Sequence, residues 1–240
     1  MTRLDVMVTR SGFAESRERA QALILAGKVQ VEGETVRRPD RSVRDDAAIS
    51  VEPGPDYASR GALKLAPALD RFDVDPRGRV CADIGASTGG FTDVLLRRDA
   101  SRVYAIDVGR GLLHWRVRQD PRVVVMERVN ARDLTSLPEP ISLVVVDVSF
   151  IGLEKILPAV RRAAPGAEVV ALFKPQFEVG RSQVGKGGIV RDQAAIEAAL
   201  ARLRAWCVGN GFVVVAESPS ELPGAEGNRE IFLHLRQRGE

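Results

Sequence analysis

A glycine-rich stretch after a short apolar run has the composition of a ligand-binding turn. From Asp83 to Thr92 the chain reads Asp-Ile-Gly-Ala-Ser-Thr-Gly-Gly-Phe-Thr. Glycines in such a turn let a ligand approach the backbone, and the helix that follows offers free N–H groups at its N-terminus. Asp107 ends the next apolar run, 22 positions after Gly85. That spacing suits a carboxylate that accepts both hydroxyls of a ribose, so the stretch predicts a nucleoside site.

The residues of this turn favour one nucleoside cofactor over another. Ser87 and Thr88 stand where the dinucleotide pattern G-x-G-x-x-G has its second glycine and that glycine's neighbour. A pyrophosphate needs the backbone to come very close at that point. S-adenosylmethionine has no phosphate and tolerates hydroxyl side chains there, so we favour it over NAD. A P-loop is excluded, because no Gly-Lys-Ser/Thr follows.

Charged residues follow two further apolar runs. Asp147 comes after Leu143–Val146, and Lys174 comes after a second run that ends at Phe173. In a doubly wound sheet the ligand crevice lies at the carboxyl ends of the strands. Glu230 precedes the last apolar run and would reach the same edge if that strand is antiparallel, as a last strand often is in mixed sheets. Together these side chains predict a charged cluster beside the cofactor.

The pattern after residue 60 alternates between helices and strands. Continuous apolar strands are typical of a parallel sheet covered by helices on both faces, and we therefore predict a doubly wound α/β domain. The expected helices are 61–72, 90–98, 110–118, 152–163 and 192–209, and the expected strands are 80–84, 102–107, 122–126, 141–147, 167–173, 212–217 and 230–236.

The expected cofactor contacts are Asp83, Gly85, Ala86, Ser87, Thr88, Gly89, Gly90, Phe91, Thr92, Asp107, Asn130, Ala131, Arg132 and Asp147.

The first part of the chain has a different pattern. Two short amphipathic helices precede an alternating hairpin at 28–36, and Pro53-Gly54-Pro55 then breaks the chain. So few elements make too small a core for much besides a recognition module. Basic side chains could there contact the phosphates of an RNA. The candidates are Arg3, Arg10, Arg17, Arg19 and Lys28.

Composition excludes several classes of protein. Of 240 residues, 45% are hydrophobic and 28% are charged, as in globular rather than disordered or fibrous chains. The apolar runs are too short to cross a bilayer, and no secretory leader is visible. Two cysteines without a CxxC pattern argue against a disulfide scaffold and a zinc site. We therefore expect a cytoplasmic protein without a metal and without a membrane partner.

Nearly the whole chain resembles the TlyA (haemolysin A-like) rRNA ribose methyltransferases. Their catalytic domain is similar to FtsJ/RrmJ-type 2′-O-methyltransferases, and their N-terminal domain resembles the alpha-L RNA-binding motif of a ribosomal protein and of pseudouridine synthases. The segments that carry the resemblance are Ser59–Leu65, Asp83–Thr92, Asp147–Ile151, Phe173–Glu178 and Gly227–Glu230.

The resemblance implies a division of the chain and a set of catalytic residues. It implies an RNA-binding domain at 1–56, a linker at 57–60, and a catalytic domain at 61–240 with a seven-stranded, mostly parallel, Rossmann-like sheet. The family's Lys-Asp-Lys-Glu tetrad falls on Lys64, Asp147, Lys174 and Glu230. The implied partners are S-adenosylmethionine and a cytidine in ribosomal RNA of the large, and for some members also the small, subunit. Arg60 and Arg110 would extend the RNA contact.

Physical reasoning assigns roles within the tetrad and leaves three rival functions to test. A ribose 2′-hydroxyl is a very weak acid, so its attack on a methyl group needs a base, and Lys174 is our candidate. Lys64 and Glu230 would hold the ribose in line with the methyl–sulfur bond. The rivals are a membrane-active haemolysin, an RNA-binding protein without turnover, and an NAD-dependent oxidoreductase.

Overall fold

The computed structural model describes residues 1–14, 16–25, 27–51, 57–224 and 226–239. The chain divides into two compact units, Met1–Asp56 and Tyr57–Glu240. The end of the expected RNA-binding domain, at 52–56, lies outside the described residues. Each unit has a hydrophobic core of its own.

The N-terminal unit contains two helices and short antiparallel strands. Strand β2 pairs with both β3 and β5, and β1 pairs with β4. The expectation of two helices followed by a hairpin is confirmed. The elements are β1 (Thr2–Arg3), α1 (Leu4–Arg10), α2 (Arg17–Leu25), β2 (Val29–Val31), β3 (Glu34–Val36), β4 (Ser42–Val43) and β5 (Ile49–Val51).

A buried carboxylate holds the two helices of this unit together. Asp5 is fully buried in α1. Its oxygens accept hydrogen bonds from Arg3 at 2.9 Å, Arg17 at 3.1 Å and Gln21 at 2.8 Å. The hydrogen bond from Arg3 is the largest effect that lowers the pKa of Asp5, well below its usual range. Arg3 and Arg17, expected to bind RNA, therefore also have a structural role.

The C-terminal unit contains a seven-stranded sheet. Its strands are β6 (Val80–Ile84), β7 (Arg102–Asp107), β8 (Val123–Glu127), β9 (Leu143–Val146), β10 (Glu168–Phe173), β11 (Phe212–Pro219) and β12 (Ile231–Gln237). Their order in the sheet is β11-β12-β10-β9-β6-β7-β8. Strand β12 runs antiparallel to both of its neighbours and all other pairs are parallel, so the predicted fold class is confirmed. The helices are α3 (Ala62–Phe72), α4 (Gly90–Arg97), α5 (Trp115–Arg118), α6 (Leu157–Ala163), α7 (Pro175–Glu178) and α8 (Gln193–Gly209).

Helices cover both faces of this sheet, as the apolar strands predict. Leu157 of α6 and Leu200 of α8 are buried in one hydrophobic cluster with the sheet. Leu69 of α3 and Leu95 of α4 are buried in a second cluster. Burial on both faces removes β9 from water along its whole length. None of the described helices is both long enough and apolar enough to cross a membrane.

The helix expected at 110–118 is wrong in its first half. Only Trp115–Arg118 is helical, and Gly109–Leu113 forms bends. Gly111 has a φ of +69°, in the left-handed region that interrupts a helix. The His114 ring then caps α5, because its Nδ1 accepts a hydrogen bond from the Arg116 N–H at 3.3 Å. The amphipathic spacing is therefore overridden by glycine and by a side-chain cap.

Candidate functional site

The carboxyl ends of the parallel strands bring the charged residues together. Asp147 directly follows β9 and Lys174 directly follows β10, and these two strands are adjacent and parallel. Since β12 runs antiparallel to β10, Glu230 at its start lies at the same edge. Lys64 reaches this edge from the first turn of α3. Topology alone thus gathers four side chains that are far apart in the sequence.

The tetrad forms two ion pairs. Lys64 Nζ lies 2.6 Å from Glu230 Oε2, and Lys174 Nζ lies 2.5 Å from Asp147 Oδ1. The second contact has the distance of an ion pair without the alignment of a hydrogen bond. Lys174 Nζ also donates to Ser149 Oγ at 3.2 Å. Both lysine side chains are largely withdrawn from solvent, with 13% of Lys64 and 11% of Lys174 exposed.

The two pairs are electrostatically connected through Glu230. Burial raises the pKa of the Glu230 carboxyl, and the hydrogen bond and charge of Lys64 oppose that shift. Lys174 also lowers this pKa and Asp147 raises it, as expected for charges of one cluster. The formal charges of the four ionised groups sum to zero, which lowers the free-energy cost of burying them in part. A proton added to or removed from one member therefore changes the field at the others.

A cavity of about 250 Å³ lies between the tetrad and the glycine turn. Lys64 and Asp147 line it together with Gly85, Ser87 and Arg60. Ala86, Thr88, Gly90 and Phe91 of the turn complete that wall. The volume is near the lower end of the range for small-molecule sites. The cavity therefore joins the predicted cofactor residues to the predicted catalytic residues.

The glycine turn needs its glycines because two backbone segments approach closely. Gly85 has a φ of +86°, and a Cβ there would come within 2.8 Å of the Asp147 carbonyl carbon. A Cβ on Gly90 would come within 2.9 Å of the Ala62 nitrogen. Gly89, at φ +88°, precedes α4 in the left-handed region. A compact turn results, with the N-terminus of α4 behind it.

Asp107 stands at the predicted place, and its oxygens already have backbone partners. Oδ2 accepts from the Ser87 N–H at 2.8 Å, and Oδ1 accepts from the Gly109 N–H at 2.7 Å. A carboxylate oxygen has more than one lone pair, so both oxygens can still accept a ribose hydroxyl. Sequence reasoning gave Asp107 a ligand role and missed that it also fixes the turn.

Asp83 is a fully buried carboxyl group behind the turn. Its Oδ2 accepts a hydrogen bond from Thr92 Oγ1 at 2.6 Å, and its Oδ1 has no hydrogen-bond partner among the described residues. Burial raises the pKa of Asp83 to about 7, against the opposing hydrogen bond of Thr92. The unpartnered oxygen gives this site an acceptor that a polar ligand could satisfy.

The stability of the Asp83→Asn variant relative to the parent chain is expected to increase as the pH rises from about 5 to about 8. The unfolded carboxyl ionises near pKa 3.8 and the folded one near about 7, so between these values the folded protein holds the extra proton. The unfolding free energy of the parent chain then falls with rising pH, by roughly 4 kcal/mol at most for a pKa shift of about three units. Thermal unfolding of both proteins over this range measures the effect. A difference in melting temperature that stays constant from pH 5 to pH 8 would contradict it.

Other predicted contacts are placed less directly. Asn130 and Ala131 follow β8, where Asn130 Oδ1 accepts from the Arg132 N–H at 3.2 Å and Ala131 is buried. None of the three lines the cavity between the tetrad and the turn. Phe91 lines this cavity and also packs against Phe232, with the two ring centroids 6.1 Å apart.

The basic residues expected to bind RNA have different environments. Arg10, Arg60 and Arg110 are exposed, and Lys28 is half-buried. The side chain of Arg19 lies outside the described part of the structure. Among the described residues, no group of three or more His, Cys, Asp or Glu is placed to hold a metal ion.

Two residues at this edge were missed from the sequence. Phe150 is 91% exposed and has a φ of +66°, and its ring packs against that of Phe177 with centroids 5.2 Å apart and an angle of 51° between the rings. Asn228 is buried, accepts from the Val190 N–H at 2.9 Å and donates to the Gly188 carbonyl at 2.8 Å. Asn228 thereby ties the start of β12 to the segment that follows α7. A large aromatic directly after a strand end was the available signal for Phe150.

Two family matches divide the chain in the same way as its compact units. Residues 57–237 match the FtsJ-like methyltransferase family, and residues 2–49 match the S4 domain family. The first match covers more than half of the chain. Its range contains every member of the tetrad and the whole glycine turn.

Relatives match along nearly the full length. The "16S/23S rRNA (cytidine-2'-O)-methyltransferase TlyA" of Mycobacterium tuberculosis (strain ATCC 25618 / H37Rv) is 50% identical over 98% of this chain and 89% of its own. Hemolysin A of Brachyspira hyodysenteriae is 42% identical over 97% of this chain and 99% of its own. A solved structure from Streptococcus thermophilus, provisionally named a hemolysin, is 41% identical with a TM-score of 0.78, and covers 100% of this chain and 89% of that one.

Proposed function

The chain belongs to the TlyA family, and from this premise we propose that it methylates the 2′-hydroxyl of a cytidine ribose in ribosomal RNA, using S-adenosylmethionine. The observation that carries the proposal is the two ion pairs, Lys64–Glu230 and Lys174–Asp147, of which one member each, Lys64 and Asp147, lines the cavity beside the glycine turn. Its place of action would be the cytoplasm, where ribosomal subunits are. The substrate is the rRNA of the large subunit, of the small subunit or of both, and the test below distinguishes these cases.

Residues of this chain fit S-adenosylmethionine better than a dinucleotide. Gly85 leaves room for backbone approach, while Ser87 and Thr88 occupy the place where a pyrophosphate would need glycine. Asp107 offers carboxylate oxygens to a ribose, and the unpartnered Oδ1 of Asp83 is an acceptor behind the turn. When bound, S-adenosylmethionine supplies a methyl group on a positively charged sulfur, which an oxygen nucleophile can attack.

Lys174 is the residue that we assign as the proton acceptor. The ribose 2′-hydroxyl must lose its proton as the new carbon–oxygen bond forms. The Lys174 amine can take it once its ammonium form has released a proton to solvent. The resulting ammonium is stabilised by Asp147, whose Oδ1 lies 2.5 Å from Nζ. Ser149 Oγ accepts a hydrogen bond from Nζ and fixes its direction. The amine is thus held between two oxygens at the edge of the cavity.

Lys64 and Glu230 are assigned to positioning of the ribose. Their ion pair is 2.6 Å long, and Glu230 is buried to 2% exposure. A buried pair has little rotational freedom, so the donor and acceptor it presents to a sugar hydroxyl stay in place. The exposed Phe150, packed against the half-buried Phe177, lies at the same edge and offers an aromatic face for a base that has left its stack.

A methyl-transfer assay on unmodified ribosomal subunits tests the proposal. Tritiated S-adenosylmethionine is incubated with each subunit, and the modified nucleotide is mapped by its resistance to alkaline cleavage. We expect label on the 2′-oxygen of a cytidine in the large subunit, in the small subunit, or in both. Label on a base would contradict the proposal. RNA binding without any label would support the rival function of an RNA-binding protein without turnover.

The N-terminal unit is assigned to RNA binding through basic side chains, among them the exposed Arg10 and the half-buried Lys28. Arg10→Gln combined with Lys28→Gln is expected to weaken RNA affinity and to lower the slope of log affinity against log salt by about 1 to 2, since each lost phosphate contact releases fewer counterions. Affinity for S-adenosylmethionine should stay unchanged. Filter binding at several salt concentrations measures the slope.

A matched control separates this effect from general loss of charge. Arg38→Gln combined with Arg44→Gln removes the same charge from exposed arginines of this unit that already pair with Asp40 and Asp46. We expect a smaller change in slope from this control. Equal slopes in both variants would count against a specific role for Arg10 and Lys28.

A further inference from the structure

A second cleft, of about 710 Å³, lies at the opposite end of the sheet from the tetrad. Gly166 just precedes β10, Phe212 begins β11, and Gln237 ends the antiparallel β12, and all three line the cleft. These positions mark the amino ends of the parallel strands. One strand of six residues separates them from the catalytic edge, which is about 20 Å. The cleft is therefore distinct from the cavity described above.

Three arginines give this cleft a positive charge without a carboxylate. Arg161, Arg162 and Arg238 line it, and none of its lining residues is acidic. Arg161 Nη1 donates to the Asn210 carbonyl at 2.8 Å. Arg162 Nη2 donates to two other backbone carbonyls, at 3.1 and 3.2 Å. Carbonyls are neutral, so these bonds hold the guanidinium groups without cancelling their charge.

Arginines elsewhere in the same unit are mostly neutralised by acids. Arg79 pairs with Glu168 at 2.7 Å, and Arg122 pairs with Asp120 at 2.7 Å. Among the described residues, no acid pairs with any of the three arginines of the cleft. An arginine fork without a carboxylate keeps the donors that bind a phosphate in a bidentate way. The charge of the cleft is thus complementary to an anion.

The position of Arg161 depends on a glycine. Gly211 has a φ of +80°, and a Cβ there would lie 2.6 Å from Arg161 Cζ. Only a residue without a side chain lets the guanidinium reach the Asn210 carbonyl. The hydrogen bond to the Asn210 carbonyl thus places the Arg161 guanidinium beside the cleft, and Gly211 leaves the room for it.

One wall of the cleft is aromatic. Trp206 of α8 lines it and stacks on Phe212, with ring centroids 6.4 Å apart and an angle of 25° between the rings. Trp206 is half-buried, so part of its indole remains accessible. A base can stack on such a face. A flat aromatic surface next to phosphate-binding groups is the chemistry that a nucleotide requires.

We propose that this cleft binds a nucleotide, with the phosphate at Arg161 and Arg238 and the base against Trp206. The nucleotide belongs either to an RNA strand that extends away from the methylated ribose or to a free nucleoside phosphate. Only the first source rests on the proposed function. Both sources share the same contacts, and the experiment separates them.

Fluorescence of Trp206 reports binding directly. The chain has two tryptophans, so Trp115→Phe leaves Trp206 as the only one. In this background the protein is titrated with AMP and, separately, with a single-stranded hexacytidylate RNA. We expect saturable quenching by at least one probe. Saturation by AMP identifies a free nucleotide as sufficient, and saturation by the hexanucleotide alone identifies an RNA strand.

Arginine variants test whether the cleft itself binds the probe. Arg161→Gln with Arg238→Gln is expected to weaken binding at least tenfold. Arg238→Gln alone is a second variant that spares the fold, because its side chain is exposed and has no ion pair among the described residues. It should weaken binding several-fold. The control, Arg77→Gln with Arg102→Gln, removes the same charge from exposed ion pairs and should change little.

Two results would overturn the proposal. The first is an absence of saturable quenching with both probes, and the second is equal weakening by the cleft variants and by the control. Neither of these fluorescence measurements depends on methyl transfer. A failure of this proposal is therefore distinguishable from a failure of the proposed function, which the labelling assay on ribosomal subunits measures separately.

Discussion

Lys174→Ala is expected to reduce methyl transfer by about 10²- to 10⁴-fold, the usual range for loss of a positioned base. Lys174 Nζ contacts both Asp147 and Ser149 at the edge of the cavity, and the substitution to alanine removes this amine. Single-turnover methylation of ribosomal subunits measures the chemical step. Calorimetry should find affinity for S-adenosylmethionine changed by less than about threefold, since the glycine turn is untouched.

Lys174→Arg is the variant that separates proton transfer from charge. Arginine keeps the positive charge beside Asp147 and stays protonated at any accessible pH, so it cannot act as a base. We expect this variant to be as inactive as Lys174→Ala. Lys64→Arg is the matched control, because a positioning role needs only the ion pair with Glu230 and should retain measurable turnover. Substantial activity in Lys174→Arg would assign that lysine an electrostatic role instead.

Gly85→Ala is expected to weaken affinity for S-adenosylmethionine by about 100-fold. A residue with a side chain at φ +86° costs roughly 1–2 kcal/mol, and the new Cβ would overlap the backbone of Asp147. Separating the turn from the end of β9 adds about 1–3 kcal/mol of repacking, and a loss of about 2.8 kcal/mol corresponds to 100-fold. Calorimetric titration with the cofactor measures the loss.

Gly78→Ala provides the matched control for this change. Gly78 has a φ of +68°, yet nothing lies within 4 Å of the Cβ that it would carry. The control therefore contains the backbone strain without the overlap, and it lies outside the cavity. We expect a lower melting temperature in both variants and a loss of cofactor affinity only in Gly85→Ala. Equal cofactor affinities in the two variants would show that the turn tolerates the overlap.

The sequence predicted the sheet, and the edge at which the charged side chains meet, for a simple reason. Continuous apolar runs such as Leu143–Val146 can only be buried on both faces, and parallel strands all end at one edge. Once the strands were located, Asp147 and Lys174 were fixed at that edge, and an antiparallel last strand added Glu230. The placement therefore followed from order along the chain and needed no knowledge of side-chain contacts.

Other features depended on contacts that no local pattern contains. Asp107 is engaged by the backbone of Ser87 and Gly109, and Asn228 clamps a segment about 40 positions before it. The helix expected at 110–118 starts late because glycine and the His114 cap outweigh its spacing. The positive charge of the second cleft arises from arginines that find carbonyls rather than acids, which only the folded arrangement reveals.

The insertion of β12 between β10 and β11 has a consequence for synthesis of the protein. Glu230 reaches Lys64, 166 positions earlier, only when this last strand has entered the sheet. During translation N-terminal parts fold first, so the enzyme is inactive until residue 237 has left the ribosomal exit tunnel. A nascent chain, or a product of premature termination before residue 230, would carry an intact cofactor turn and no working catalyst.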